Sequence, residues 1–136
     1  MGQQQLLLIV LGVIVVGIAV VVGINLFNAN AESATQDSIV SQGTSLGAIA
    51  QQYFKKPVAM GGGGNSFTGG DGFDVYWDEA IPSNLKVTPD ADWDTTPPSV
   101  QDSTVVLFAD PLDGAYDWTV QTTITPTGIL SRVIQN

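Results

Sequence analysis

The chain has 136 residues, with thirteen acidic and four basic side chains and neither cysteine nor histidine. That removes any disulfide framework, any thiol or imidazole metal site and the common nucleophile–base pairs, so no enzyme, cofactor or metal centre is expected. A net charge of −9 argues against nucleic acid or an anionic membrane surface as partner, yet the mean hydropathy is positive, at +0.23.

The two halves explain that contradiction. Residues 1–70 carry Glu32, Asp37, Lys55 and Lys56, which sum to zero, so the whole −9 lies in residues 71–136. From Leu6 to Ile24 the chain runs for nineteen residues without a polar side chain. At ~1.5 Å per residue this makes roughly 28 Å of helix, near the hydrocarbon thickness of a bilayer. Three readings compete. A cleavable secretory signal would use Ala29-Asn30-Ala31, but the apolar run exceeds the usual length of about 7–15 residues and no Lys or Arg precedes it. A single-pass anchor lacks the flanking positive charge that sets orientation. The third is a helix that crosses a membrane only as a storage state and then packs against copies of itself. Myristoylation does not fit, because position 6 is Leu.

Beyond Phe27 the helix pattern continues. Residues 28–56 contain no proline, and Ile39, Gly43, Leu46, Ala50 and Tyr53 recur at 3-4 spacing, so one face is apolar. Lys55 and Lys56 suit a helix C-terminus, and Pro57 stops it. One helix over residues 3–56 is expected. Gly43 and Gly47 each weaken it by about 1 kcal/mol relative to Ala, so tertiary packing must hold that half. In the first half, Gly12, Gly17, Ala19 and Gly23 would let helix backbones approach closely, although glycine is also frequent in transmembrane helices generally.

QQQLLLIVLGVIVVGIAVVVGINLFNAN, followed by AQQYFKKP and GGGGNSFTG, resembles type IV pilins and pseudopilins. The layout agrees: a short polar start, a long half-apolar helix and a small Gly-rich β domain. The resemblance implies a helical polymer of the chain with itself, and a filament interface at Gln3, Gln4, Gln5, Leu6, Leu7, Gly12, Gly17, Ala19, Gly23 and Phe27. It also implies storage in the inner membrane before export to the cell surface, a pilus assembly machinery and a prepilin peptidase. Gly2 is the only glycine placed for the peptidase, with nothing basic before it. The glutamate that pilins use early in the mature chain is replaced by three amides, worth about 0.5–1.5 kcal/mol per hydrogen bond but carrying no counter-charge.

Residues 57–136 read as an acidic β domain on the surface. Gly61-Gly62-Gly63-Gly64 is a loop that turns the chain back along the helix; it lacks the Lys-Ser/Thr of a phosphate cradle. Strands are expected at 73–77, 85–88, 104–109, 116–124 and 128–134, with turns at Asp110–Gly114 and Thr125–Gly128. An antiparallel meander follows, its apolar face (Val105, Leu107, Trp118, Val120, Ile129 and Val133) covering the helix at Ile39, Leu46 and Tyr53. Asp90, Asp92 and Asp94 alternate like calcium ligands, but the positions for the loop glycine and the bidentate glutamate hold Thr95 and Gln101. Nothing places two carboxylates across a cleft for glycosidase chemistry. Trp77 and Trp93 are expected in packing rather than as a sugar platform.

The expected fold is α+β, a long N-terminal helix (1–56) packed on a small antiparallel sheet domain (57–136). The expected function is a structural subunit of an extracellular pilus-like filament. The alternatives are a single-pass membrane protein displaying an acidic binding domain, or a pseudopilin of a type II secretion system.

Overall fold

A computed structural model describes residues 2–135. Helix α1 covers Gly2–Lys55, within a residue of the expected bounds at each end. By backbone contacts the chain divides between Ala34 and Thr35. The first unit is helix only, and the second contains the rest of α1 with everything that follows.

In the second unit the apolar stripe of α1 is buried as its spacing requires: Ile39, Gly43, Leu46, Gly47, Ala50 and Tyr53 all lie inside. Opposite them stands a five-stranded antiparallel sheet. Strands β3 (Thr104–Pro111), β4 (Trp118–Thr125) and β5 (Gly128–Gln135) form the expected meander. Two short strands share the outer edge of β3, β1 (Ala91–Asp92) at its C-terminal end and β2 (Ser99–Gln101) at its N-terminal end. Period-2 alternation sends Val105, Leu107, Ala109, Trp118, Val120, Thr122 and Ile124 inward, all buried. Thr122 is the one polar member, and its hydroxyl shares a hydrogen bond of 2.8 Å with Ser131 Oγ. Ile129 and Val133 pack against this core half-buried. Tyr116 lies before β4 and stacks on Trp118 at 5.4 Å.

Helix and sheet approach closely where α1 has no side chain. A Cβ on Gly43 would lie 2.5 Å from Thr122 Oγ1 and 2.8 Å from Trp93 Cη2. The helix penalty of that glycine is therefore offset by the fit of an indole against bare backbone.

Two expected strands are helices. Residues 73–77 begin α2 (Phe73–Glu79), which buries Phe73 and Trp77 one turn apart. Residues 85–88 fall partly in α3 (Ser83–Lys86), which starts after Pro82, and Val87 makes only an isolated bridge to Asp92. Phe73, Val75 and Trp77 alternate as a strand would, but Phe73 and Trp77 are also one helical turn apart, and the helix buries both rings while Val75 stays exposed.

The glycine loop closes the end of α1. Main-chain N–H groups of Gly63, Asn65 and Gly64 donate to the carbonyls of Tyr53 (2.8 Å), Phe54 (2.7 Å) and Lys56 (2.9 Å). These are carbonyls that a helix C-terminus leaves without partners. A Cβ on Gly63 would run into Ser66 O, so the wrap requires glycine there.

Candidate functional site

Among the described residues, the first unit presents an exposed apolar surface. Every large apolar side chain from Leu6 to Phe27 is exposed, from 50% at Val22 to 77% at Phe27. Its most apolar 18-residue window has a mean hydropathy of 3.3 and is 0% buried. By length and composition it is able to cross a membrane. Met1, and with it the Met1–Gly2 junction of the peptidase reading, lies outside the described residues.

At about 100° per residue, Gly12, Ala19 and Gly23 fall within roughly 40° of one another, and Gln5 shares their stripe. Gly17 lies about 140° round the helix from Gly12. The small residues thus form two faces rather than one. A Cβ on Gly12, Gly17 or Gly23 would meet nothing within 4 Å. Gln3, Gln4, Gln5, Leu6 and Leu7 are all exposed.

Asp90, Asp92 and Asp94 do not converge. Asp90 Oδ2 accepts from Ser38 Oγ (2.6 Å) and Gln42 Nε2 (3.3 Å), both on α1. Asp92 Oδ1 accepts the Asp94 N–H at 2.7 Å. Asp94 Oδ1 accepts from Trp77 Nε1 at 3.1 Å and lies 3.3 Å from Lys86 Nζ. Each carboxylate is drawn to a different partner, and no group of three or more acidic residues among those described could hold a metal ion. The calcium reading is therefore set aside. Trp77 and Trp93, each 1% exposed, are core residues, as expected.

One feature was not foreseen, a cleft of about 470 Å³ beside the end of α1, lined by Tyr53, Lys56, Val58, Met60, Tyr76 and Glu79 among others. Reading 73–77 as a strand had hidden it. Tyr53 is its floor; the phenol donates to Gly69 O at 2.6 Å, and the ring lies 4.9 Å from Tyr76 and 5.6 Å from Phe73. Burial raises the Tyr53 pKa above its ordinary 10.0, with Asp71 and Asp74 adding to the effect. The folded chain then holds a proton that the unfolded chain has released. Stability from this group is full below about pH 10 and declines as pH rises through the raised value. Denaturant midpoints measured from about pH 8 to 11 are expected to fall at the alkaline end. Tyr53→Phe should flatten that fall, at a cost near neutrality of about 1 kcal/mol for the lost hydrogen bond. An unchanged alkaline slope in Tyr53→Phe would refute this.

Comparison with known protein families, curated proteins and solved structures gives no match to this chain.

Proposed function

We propose that the chain is the structural subunit of a pilus-like helical filament, held together by residues 6–27 of α1. One observation carries the reading: seventeen large apolar side chains between Leu6 and Phe27 are all exposed. Burying a Val or Leu side chain is worth about 1.5–3 kcal/mol, so covering half of each gives on the order of 20 kcal/mol. A surface of that size is insoluble in water and must enter lipid or protein. Small residues on two faces, Gly12/Ala19/Gly23 and Gly17, suit a helix with several helical neighbours. A subunit whose contacts are head-to-tail extends into an open fibre. The absence of charged side chains from residues 3–31, against eleven carboxylates in residues 71–136, suits a buried core and a solvated exterior.

The same exposure is met equally by a single bilayer crossing, with the second unit displayed as an acidic binding domain. Negative-stain microscopy of material sheared from cells producing the chain separates the two. Fibres containing it support the proposal, whereas recovery only in detergent extracts of membranes overturns it. A substitution tests the interface itself. Gly17→Leu adds a bulky side chain to one small-residue face and keeps the helix apolar. Fibre yield should fall several-fold while membrane insertion persists. Unchanged yield would show that Gly17 does not face a neighbouring helix.

A further inference from the structure

We propose that β5 pairs with β5 of a second copy of this chain, joining two sheets into one. The two ends of the sheet differ. The outer edge of β3 carries β2 along Thr104–Val106 and β1 along Asp110–Pro111, with neighbours beyond them: Val87 bridges to Asp92 beside β1, and Phe67 N–H donates to Asp102 O just after β2. At the other end β5 has β4 on one side and, among the described residues, no strand on the other.

Its free edge follows from the turn. Gly128 faces Thr125 across two residues, and antiparallel ladders alternate. The main-chain groups of Gly128, Leu130, Arg132 and Ile134 therefore point to β4, and those of Ile129, Ser131 and Val133 point away. Among the described residues, none of these three donates to or accepts from the backbone of another element. The inward side chains agree. Val120, Thr122 and Ile124 on β4 are 0% exposed, whereas Val133, Ser131 and Ile129 opposite them are only half-buried. The devices that usually blunt an edge are nearly absent: β5 is eight residues long, has no proline and carries one charge, Arg132.

Charge and register select a second copy as occupant. A chain of net charge −9 repels itself over most of its surface, but residues 118–135 contain no carboxylate at all. The β4–β5 hairpin is thus where two copies approach at least electrostatic cost. A head-to-tail continuation would meet a far edge broken into strands of two and three residues, so the longer match is β5 against β5 around a twofold axis. Two registers pair seven residues on each strand. Centring on Arg132 sets two guanidinium groups opposite each other at a close pair, which is unfavourable. Centring on Ser131 sets Arg132 opposite the partner's Leu130 and lets Ile129, Ser131 and Val133 bond to the partner's Val133, Ser131 and Ile129. The arginine stem then covers a leucine that is 68% exposed in the single chain.

The pairing does not rest on the filament reading, since it uses only residues of the second unit. The chain has no cysteine, so introduced thiols report it in the full-length protein in mild detergent. Leu130→Cys and Arg132→Cys chains, mixed and oxidised, should cross-link several-fold more than either alone, because directly opposite residues lie closer than diagonal ones. Equal cross-linking in every mixture, or none, overturns the proposal; none is also the result expected if a foreign strand occupies the edge. Leu130→Lys and Leu130→Glu give an independent reading at an exposed position. Dimer measured by sedimentation should fall with lysine, which faces Arg132 of the partner subunit, and rise with glutamate. A fall in both would reveal a merely hydrophobic contact and refute the paired strand.

Discussion

Replacing Trp93 by alanine is expected to destabilise the second unit by about 3–5 kcal/mol, the usual cost of removing a large buried aromatic. Small domains have ~5–15 kcal/mol in total, so a sizeable unfolded population should be visible near room temperature. Trp93 is 1% exposed, its ring lies against the bare backbone of Gly43, and its Nε1–H donates to Gln42 Oε1 at 3.4 Å. It therefore joins the segment before β2 to the middle of the α1 stripe. The reciprocal change, Gly43→Ala, sets two effects against each other. Helix propensity gains about 1 kcal/mol, and overpacking costs about 1–3 kcal/mol. The obstacles are the buried Trp93 ring and the Thr122 hydroxyl already bonded to Ser131, so overpacking should win. Denaturation followed by far-ultraviolet circular dichroism in mild detergent checks both. A more stable Gly43→Ala protein would mean that helix and sheet are not in close contact at this point.

The second large effect concerns Lys86, a lysine with 6% exposure. Its ammonium lies 3.3 Å from Asp94 Oδ1 and 5.7 Å from the centroid of the Trp77 ring, whose Nε1–H donates to the same Asp94 oxygen. The partners are unequally buried, since the Asp94 side chain is 44% exposed. Asp94→Ala strands a buried ammonium and a buried indole N–H together, at a cost of about 2–4 kcal/mol. Lys86→Met keeps the packing on Trp77 and leaves a carboxylate that water can still reach, so its cost should be under about 1.5 kcal/mol. The asymmetry is the test. Equal losses from the two variants, measured by the same denaturation, would show that Lys86 reaches solvent and needs no acceptor.

Much of the fold was legible from spacing. Ile39, Gly43, Leu46, Ala50 and Tyr53 recur at helical intervals and are buried as one stripe. Trp118, Val120, Thr122 and Ile124 alternate and all face inward, with turn residues on either side of that strand. Residues 73–77 were not legible, because Phe73, Val75 and Trp77 fit a strand as well as Phe73 and Trp77 fit one turn of helix. The Asp90–Asp94 cluster was misleading for a different reason. Proximity along the chain says nothing about convergence, and the partners that separate these carboxylates, Ser38, Gln42, Trp77 and Lys86, come from α1, α2 and α3.

The amino-acid order alone determined the division of this protein into an apolar, uncharged helix and an acidic domain, because burial and charge depend on what a residue is. It also determined where the helix ends, since Pro57 and the glycines behind it admit no continuation. The tertiary structure decided what each special residue is for. Gly43 admits the Trp93 ring, the glycine loop caps α1, and the one buried lysine rests on Trp77 beside Asp94. It also decided that β5 is an edge of the sheet with no further strand beside it among the described residues. These outcomes depend on which surfaces meet in space, and residues far apart in the chain supply them.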